Sequence, residues 1–145
     1  MDYKELTAPC GLDCFNCQRY LASENEDVRK QLATKTQQQF GMSYDQAYKM
    51  AVCKGCRKDN GHCGGLLPEP CKVYKCVSAK GLYSCAECSD FPCDNLQPFA
   101  ERASYAPHNT KVYNLALIKK MGVEKWAQEK SKQVRDTYFN GKFNI

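Results

Sequence analysis

Ten of the chain's eleven cysteines fall into close groups, Cys10/Cys14/Cys17, Cys53/Cys56, Cys71/Cys76 and Cys85/Cys88/Cys93, and Cys63 stands alone among them. Short-spaced thiols on loops far apart in sequence suit a tetrahedral ion, because one loop presents two sulfurs and a second loop completes the shell. A disulfide framework fits less well. The count is odd, the opening MDYKELTAPC has no apolar core of a secretion signal, and C-x2-C pairs suit a metal knuckle or redox motif better than a structural crosslink. The expectation is therefore a cytoplasmic protein in which Cys10, Cys14, Cys17, Cys53, Cys56, Cys63, Cys71, Cys76, Cys85, Cys88 and Cys93 are candidate metal ligands.

Length bounds the architecture. A chain of 145 residues is expected to form a single domain over 1–145, and one of that size buries about two-thirds of its unfolded surface. The hydrophobic fraction of 43% includes the cysteines, and a mean hydropathy of −0.63 marks a polar chain with a modest aliphatic core. No apolar run approaches the ~20 residues that span a bilayer, and neither end carries a lipidation signal, so no membrane partner is expected. Charge is uneven: residues 1–110 carry 13 basic and 13 acidic side chains, whereas residues 111–145 carry 8 basic and 3 acidic ones. A solvated lysine-rich helical face accounts for that excess, and it allows at most weak nucleic-acid binding through the basic carboxy-terminal helices.

Helical signals flank a centre without them. After the first cysteine loop, Ser23 with Glu26 reads as a capping box for a helix with Val28, Leu32 and Ala33 inward, stopped at Gly41, and Ser43 with Gln46 repeats the device for SYDQAYKMA. Between Val52 and Cys93 eight cysteines sit among glycines and prolines, and only KVYKCVSAKG suggests a turn or two of helix. Helix is expected again in DNLQPFAERA. Asn109 or Thr110 then caps KVYNLALIKKMG, with Val112, Leu115 and Ile118 at core spacing and Gly122 as terminator, and VEKWAQEKSKQVR turns Val123, Trp126, Ala127 and Val134 to one side. The ending DTYFNGKFNI reads as an irregular tail around an Asn-Gly turn. The predicted fold is mainly α with little or no β, helices at about 18–50 and 94–135 flanking a loop-rich, metal-organised centre at 52–93.

Cys53-Lys-Gly-Cys56 has the form of a zinc knuckle, and Cys85-Ala-Glu-Cys88 has the same spacing. In chain order, Cys71 and Cys76 would complete the first, and Cys14 and Cys17 the second. Cys63, apart from every pair, is expected to matter least. Eleven cysteines and His62 would fill three four-ligand sites, although His62 reads more simply as a loop residue and His108 as a surface one. Asp13 reads as a turn former. The spacing Cys10-x3-Cys14-x2-Cys17 also occurs in radical S-adenosylmethionine enzymes, but Asn16 stands where those carry an aromatic, and the chain is too short and strand-poor for their barrel. No phosphate-binding glycine loop, nucleophile elbow or H-E-x-x-H helix is present, and all-cysteine zinc sites are usually closed and structural. The reading is a non-catalytic interaction module with two or more zinc ions and an unidentified protein partner. The alternative is an iron–sulfur or thiol-based redox protein, since four cysteines accept either metal.

Four segments, CGLDCFNCQRYLA at 10–22, CKGC at 53–56, CKVYKCVSAKGLYSCAECSDFPCDNL at 71–96 and IKKMGVEKW at 118–126, resemble a microbial family, the domain of unknown function 3795. That resemblance implies a cysteine-rich protein taken to bind zinc, with no reaction or substrate attached. In the family pattern another cysteine lies three positions before that of Cys71, where this chain has Pro68. Cys63 would substitute for it from a displaced loop.

Overall fold

The computed structural model describes residues 1–64, 67–101 and 103–142. Helix accounts for about 57% of the described residues, so the chain is mainly α as expected. Among the described residues there is no strand, only an isolated antiparallel bridge between Thr7 and Asp13.

Helix α1 spans Gln18–Glu24 and α2 spans Glu26–Phe40. The residue that starts α2 is Asn25, not Ser23. Extended Asn25 accepts hydrogen bonds from the Asp27 and Val28 amides at 2.9 and 3.2 Å, satisfying two N–H groups that have no partner within the helix. Ser23 lies in the last turn of α1, and its hydroxyl is committed to Cys53. Gly41 ends α2 in the left-handed region at φ +65°, its N–H bonded to Gln37 O. The Ser43/Gln46 capping box is present in both halves and opens α3, Tyr44–Met50. Ala33, Ala47 and Ala51 are buried between α2 and α3, where small side chains let the two helices approach closely.

The irregular centre contains one regular element, α4 at Lys72–Ala79, with Val73 and Val77 one turn apart on its buried face. Single 3-10 turns follow at Cys85–Glu87 and Asp94–Leu96. The helix expected over DNLQPFAERA stops there. Pro98 forces its predecessor out of helical backbone, and Gln97 sits at ψ 133°; residues 97–101 and 103–106 are irregular, and Arg102 lies outside the described residues.

Helix α5, Lys111–Met121, is not capped by Asn109 or Thr110. Pro107 opens a 3-10 turn, Pro107–Thr110, that feeds it directly. Asn109 Oδ1 accepts instead from the Phe99 amide, and the Thr110 hydroxyl donates to Pro107 O. His108, expected at the surface, is buried: it stacks on Phe99 with centroids 3.8 Å apart, its Nε2 2.7 Å from Phe99 O. On α5, Leu115 and Ile118 are buried, whereas Val112 is exposed and Asn114 is buried in its place.

Gly122 separates α5 from α6, Val123–Trp126, which continues through a π-helical turn, Ala127–Ser131, into α7, Lys132–Asn140. The expected Asn-Gly turn is absent because α7 runs on to Asn140 and Gly141 is extended; residues 143–145 lie outside the described residues. Trp126 is fully buried in the main core. Its ring meets Phe15 edge-on at 6.0 Å, and Phe15 meets Tyr3 at 5.0 Å. The core thus forms where the carboxy-terminal helices cover the first cysteine loop. Among the described residues no helix is long and apolar enough to cross a membrane.

Candidate metal centre

The first loop is shaped by short-range hydrogen bonds and closed by α5. Ala8 N–H bonds Leu12 O, Gly11 N–H bonds Ala8 O, and Cys14 N–H bonds Leu6 O, so Cys10 to Cys14 turns back tightly. Gly11 is required there twice over: its φ is +83°, and a Cβ would stand 2.8 Å from Leu115 Cγ. The Asn114 amide donates to Gly11 O at 2.9 Å and accepts from Trp126 Nε1 at 3.3 Å. Next come matching turns: Cys17 N–H bonds Cys14 O, and Cys88 N–H bonds Cys85 O, so both C-x2-C pairs lie on one turn of 3-10 helix. Cys53/Cys56 differs, since Gly55 at φ +91° points its N–H at Cys53 Sγ, 3.4 Å away. Amides aimed at sulfur stabilise thiolates and recur around metal knuckles.

The structure gathers the cysteines in two groups. Cys76, Cys85, Cys88 and Cys93 line one cavity of about 200 Å³ walled by Val73, Val77, Leu82, Phe91 and Leu96. At its rim Lys80 Nζ lies 2.7 Å from Asp90 and 3.4 Å from Cys88 Sγ. Those contacts, Asp90 first, raise the Lys80 pKa and keep its charge at the rim. The other seven, Cys10, Cys14, Cys17, Cys53, Cys56, Cys63 and Cys71, lie on the first loop, at the start of α1 and on the segments around Cys53–Cys63 and Cys71; Cys56 and Cys63 are in contact, and Cys10 is a neighbour of Cys85. The pairing expected from chain order is thereby corrected: Cys85/Cys88 take Cys76 and Cys93 as neighbours, and Cys53/Cys56 take Cys14, Cys17 and Cys63.

Several side chains fix the larger group. The Ser23 hydroxyl donates to Cys53 O and accepts from Cys53 N–H, at 3.0 and 2.8 Å. Arg19 reaches across to the carbonyls of Met50, Cys63 and Gly64. Arg57 binds Thr7 O at 2.8 Å and Tyr83 O at 2.7 Å while stacking on the Tyr83 ring. The Cys85 amide bonds Pro9 O at 2.9 Å, which sets the two groups side by side. Asp13 does more than turn the chain: buried, it takes bonds from Asn16 at 3.0 Å and from Arg135 Nε and Nη2 at 3.0 and 2.5 Å. Asn16 also donates to Ser131 in the π-helical turn.

Thiol electrostatics follow the packing. Burial first, then neighbouring cysteines, push Cys14 and Cys85 up to about 12; for Cys14 the Cys56 backbone N–H opposes this, and for Cys85 the first neighbour is Cys10. Burial also raises Cys10 and Cys53. Cys56 Sγ lies 3.7 Å from Cys63 Sγ, and the two share a proton. Cys63, accepting it and helped by Arg19 and Lys111, is lowered to about 7, while Cys56, the donor, is raised. Cys63 also holds a left-handed φ of +52°, a conformation that costs a non-glycine residue about 1 kcal/mol.

Zinc–thiolate bonds of about 2.3 Å in a tetrahedron put sulfurs about 3.8 Å apart. The Cys56–Cys63 separation of 3.7 Å fits that edge, and a donor set made of thiols suits zinc or an iron–sulfur cluster. Among the described residues no three Cys, His, Asp or Glu side chains stand at mutual coordination distance, so holding an ion requires thiols to rotate inward. His62 points its Nδ1 toward Leu67 O at 3.5 Å. Lys80, Arg19, Lys111 and Arg135, all beside cysteine loops, escape sequence reasoning because nothing in their local pattern distinguishes them from surface bases.

Fold and site define a mainly α, cysteine-rich protein with its thiols collected in two adjoining groups. Residues 6–98 match the model of a family described as protein of unknown function (DUF3795), and the chain belongs to that family. No curated protein and no solved structure matches it.

Proposed function

We propose that this is a zinc protein whose ions are structural, bound only by cysteines, and that it serves in the cytoplasm as a non-catalytic module presenting a surface to a protein partner. The observation that carries the reading is the cavity shared by Cys76, Cys85, Cys88 and Cys93: one thiol from α4 and three from the loop after it, with apolar walls and a cation at the rim. Cys76, Cys85, Cys88 and Cys93 would hold one ion, and the larger group would hold the remainder. Bound there, zinc supplies crosslinking of loops that have little regular structure, and its binding energy becomes folding energy. Four thiolates close the coordination shell, which leaves no open position for substrate. The exposed bases of the carboxy-terminal helices, Lys119, Lys120, Lys125, Lys130 and Lys132, offer a partner a positive face.

Metal analysis of anaerobically purified protein tests the reading. Colourless protein with stoichiometric zinc supports it. Iron with sulfide and visible absorbance near roughly 400 nm would replace it with the iron–sulfur alternative.

A further inference from the structure

A disulfide needs two sulfurs, and the structure holds one pair in contact. Among the described residues, Cys56 Sγ and Cys63 Sγ, 3.7 Å apart, are the cysteine sulfurs that hydrogen-bond one another, and no third ligand stands with them at the distance an ion requires. Sulfurs at that separation touch, and a bond of about 2.05 Å lies within reach of side-chain rotation. Both thiols are free and only half-buried, so a small oxidant can reach them. A groove of about 580 Å³ lined by Cys53, Lys54, Lys58, Asp59 and Gly64 flanks the turn that carries them.

The backbone between the two cysteines folds back on itself. Gly61 N–H bonds Cys56 O at 2.8 Å, Asp59 N–H bonds Gly55 O at 3.1 Å, and His62 N–H bonds Asp59 O at 2.9 Å, while the Asp59 carboxylate accepts from Gly64 N–H at 3.0 Å. Asn60, Gly61, Cys63 and Gly64 all have left-handed φ, at +45°, +86°, +52° and +64°. Glycine adopts that region freely, whereas a cysteine there is strained, and strain of this kind collects at functional sites. At Cys63 the strained residue carries the side chain that reaches Cys56. A Cβ on Gly61 would stand 2.7 Å from Tyr74 Cγ, so the turn also packs tightly on α4.

We propose that Cys56 and Cys63 form a reversible disulfide, which makes this turn a site of exchange with small-molecule disulfides. One thiolate of the pair attacks a sulfur of the external disulfide, whose S–S bond breaks and whose other half leaves as a thiol with the proton that the attacking cysteine gave up. The second cysteine attacks the mixed disulfide and expels the remaining half with its own proton. Two cysteine thiols are thus oxidised by two electrons, and one external disulfide is reduced to two thiols. The bond forms whether or not the cavity of Cys76, Cys85, Cys88 and Cys93 holds zinc, so it goes beyond the zinc reading and does not rest on it.

The test uses the full chain, purified anaerobically and reduced, then equilibrated with graded mixtures of reduced and oxidised glutathione, acid-quenched and alkylated. The first bond to form should make the chain lighter by two hydrogen atoms and link the tryptic peptides 55–57 and 59–72, and excess thiol should reverse it. Cys71→Ser removes the other cysteine of the second peptide and should keep the link. Cys63→Ser should abolish it and leave Cys56 open to alkylation. Cys56 bonded first to another cysteine or to glutathione, or remaining a thiol until the chain unfolds, would overturn the assignment, and the wild-type peptide map reads each of these outcomes without any variant. Zinc counted on the same sample keeps the two readings apart: zinc without the Cys56–Cys63 bond defeats this proposal alone, and the bond without zinc defeats the zinc reading alone.

Discussion

Cys56 Sγ and Cys63 Sγ are 3.7 Å apart, although one belongs to a knuckle and the other to the turn after it. The contact sets Cys63 beside the Cys53/Cys56 knuckle, and Cys63 is therefore expected to matter as much as Cys56. Cys56→Ser and Cys63→Ser should each remove about one equivalent of metal and destabilise the loaded protein by about 3 kcal/mol or more. Zinc counting with thermal melting checks this. A Cys63 variant that keeps full metal content would return it to bystander.

Buried thiols make the metal-stripped, reduced chain sensitive to alkali. Cys14 and Cys85 move from 9.0 up to about 12 on folding, so the folded chain keeps protons that the unfolded chain releases. Their stabilisation is present below pH 9.0 and is lost as pH rises toward about 12. Cys63, lowered to about 7, works in the opposite sense: its contribution is present above its ordinary 9.0 and fades as pH falls through 7. Urea midpoints of the stripped protein should therefore decline above pH 9.0, and a flat profile there would contradict the burial argument.

Removing metal should release amide protection in residues 52–64, 67–71 and 80–93, which lack regular helices, before it touches α2 or α5. Hydrogen exchange with and without a strong chelator reads this directly. Unchanged protection in the cysteine loops would mean that they fold without an ion.

Asp13 and Arg135 form a buried pair, their side chains 3% and 15% exposed. Arg135→Met leaves a carboxylate buried without its partner and should cost about 3 kcal/mol. The double variant with Asp13→Asn should cost less than the sum of the singles, since it removes both charges. Additive losses in a double-mutant cycle would deny the coupling.

The exposed lysines of α5–α7 should bind nucleic acid at most weakly and in a strongly salt-dependent way, because Arg135 is already committed to Asp13. Tight, sequence-selective binding at physiological salt would count against the protein-partner reading.

Local signals were legible where the chain solves its problem locally. Ser43 with Gln46 and Gly41 could be read because capping involves residues within four positions. Ser23 misled because Cys53, thirty residues away, holds its hydroxyl. Asp13 looked like a turn former because its partner is 122 positions distant. The division of the cysteines was illegible for a geometric reason. Cys71 and Cys76 are neighbours in sequence, but five positions along α4 turn them by about 140°, so they serve different groups.

Family descent and folding part company at residue 98. The matched segment, 6–98, contains all eleven cysteines, yet the indole of Trp126 and the guanidinium of Arg135, both beyond it, fill the first loop from behind. A fragment excised at that boundary would keep every thiol and lose the wall against which Phe15 and Asp13 are set. The carboxy-terminal helices are thus less an appendage than the mould in which the first cysteine loop is cast.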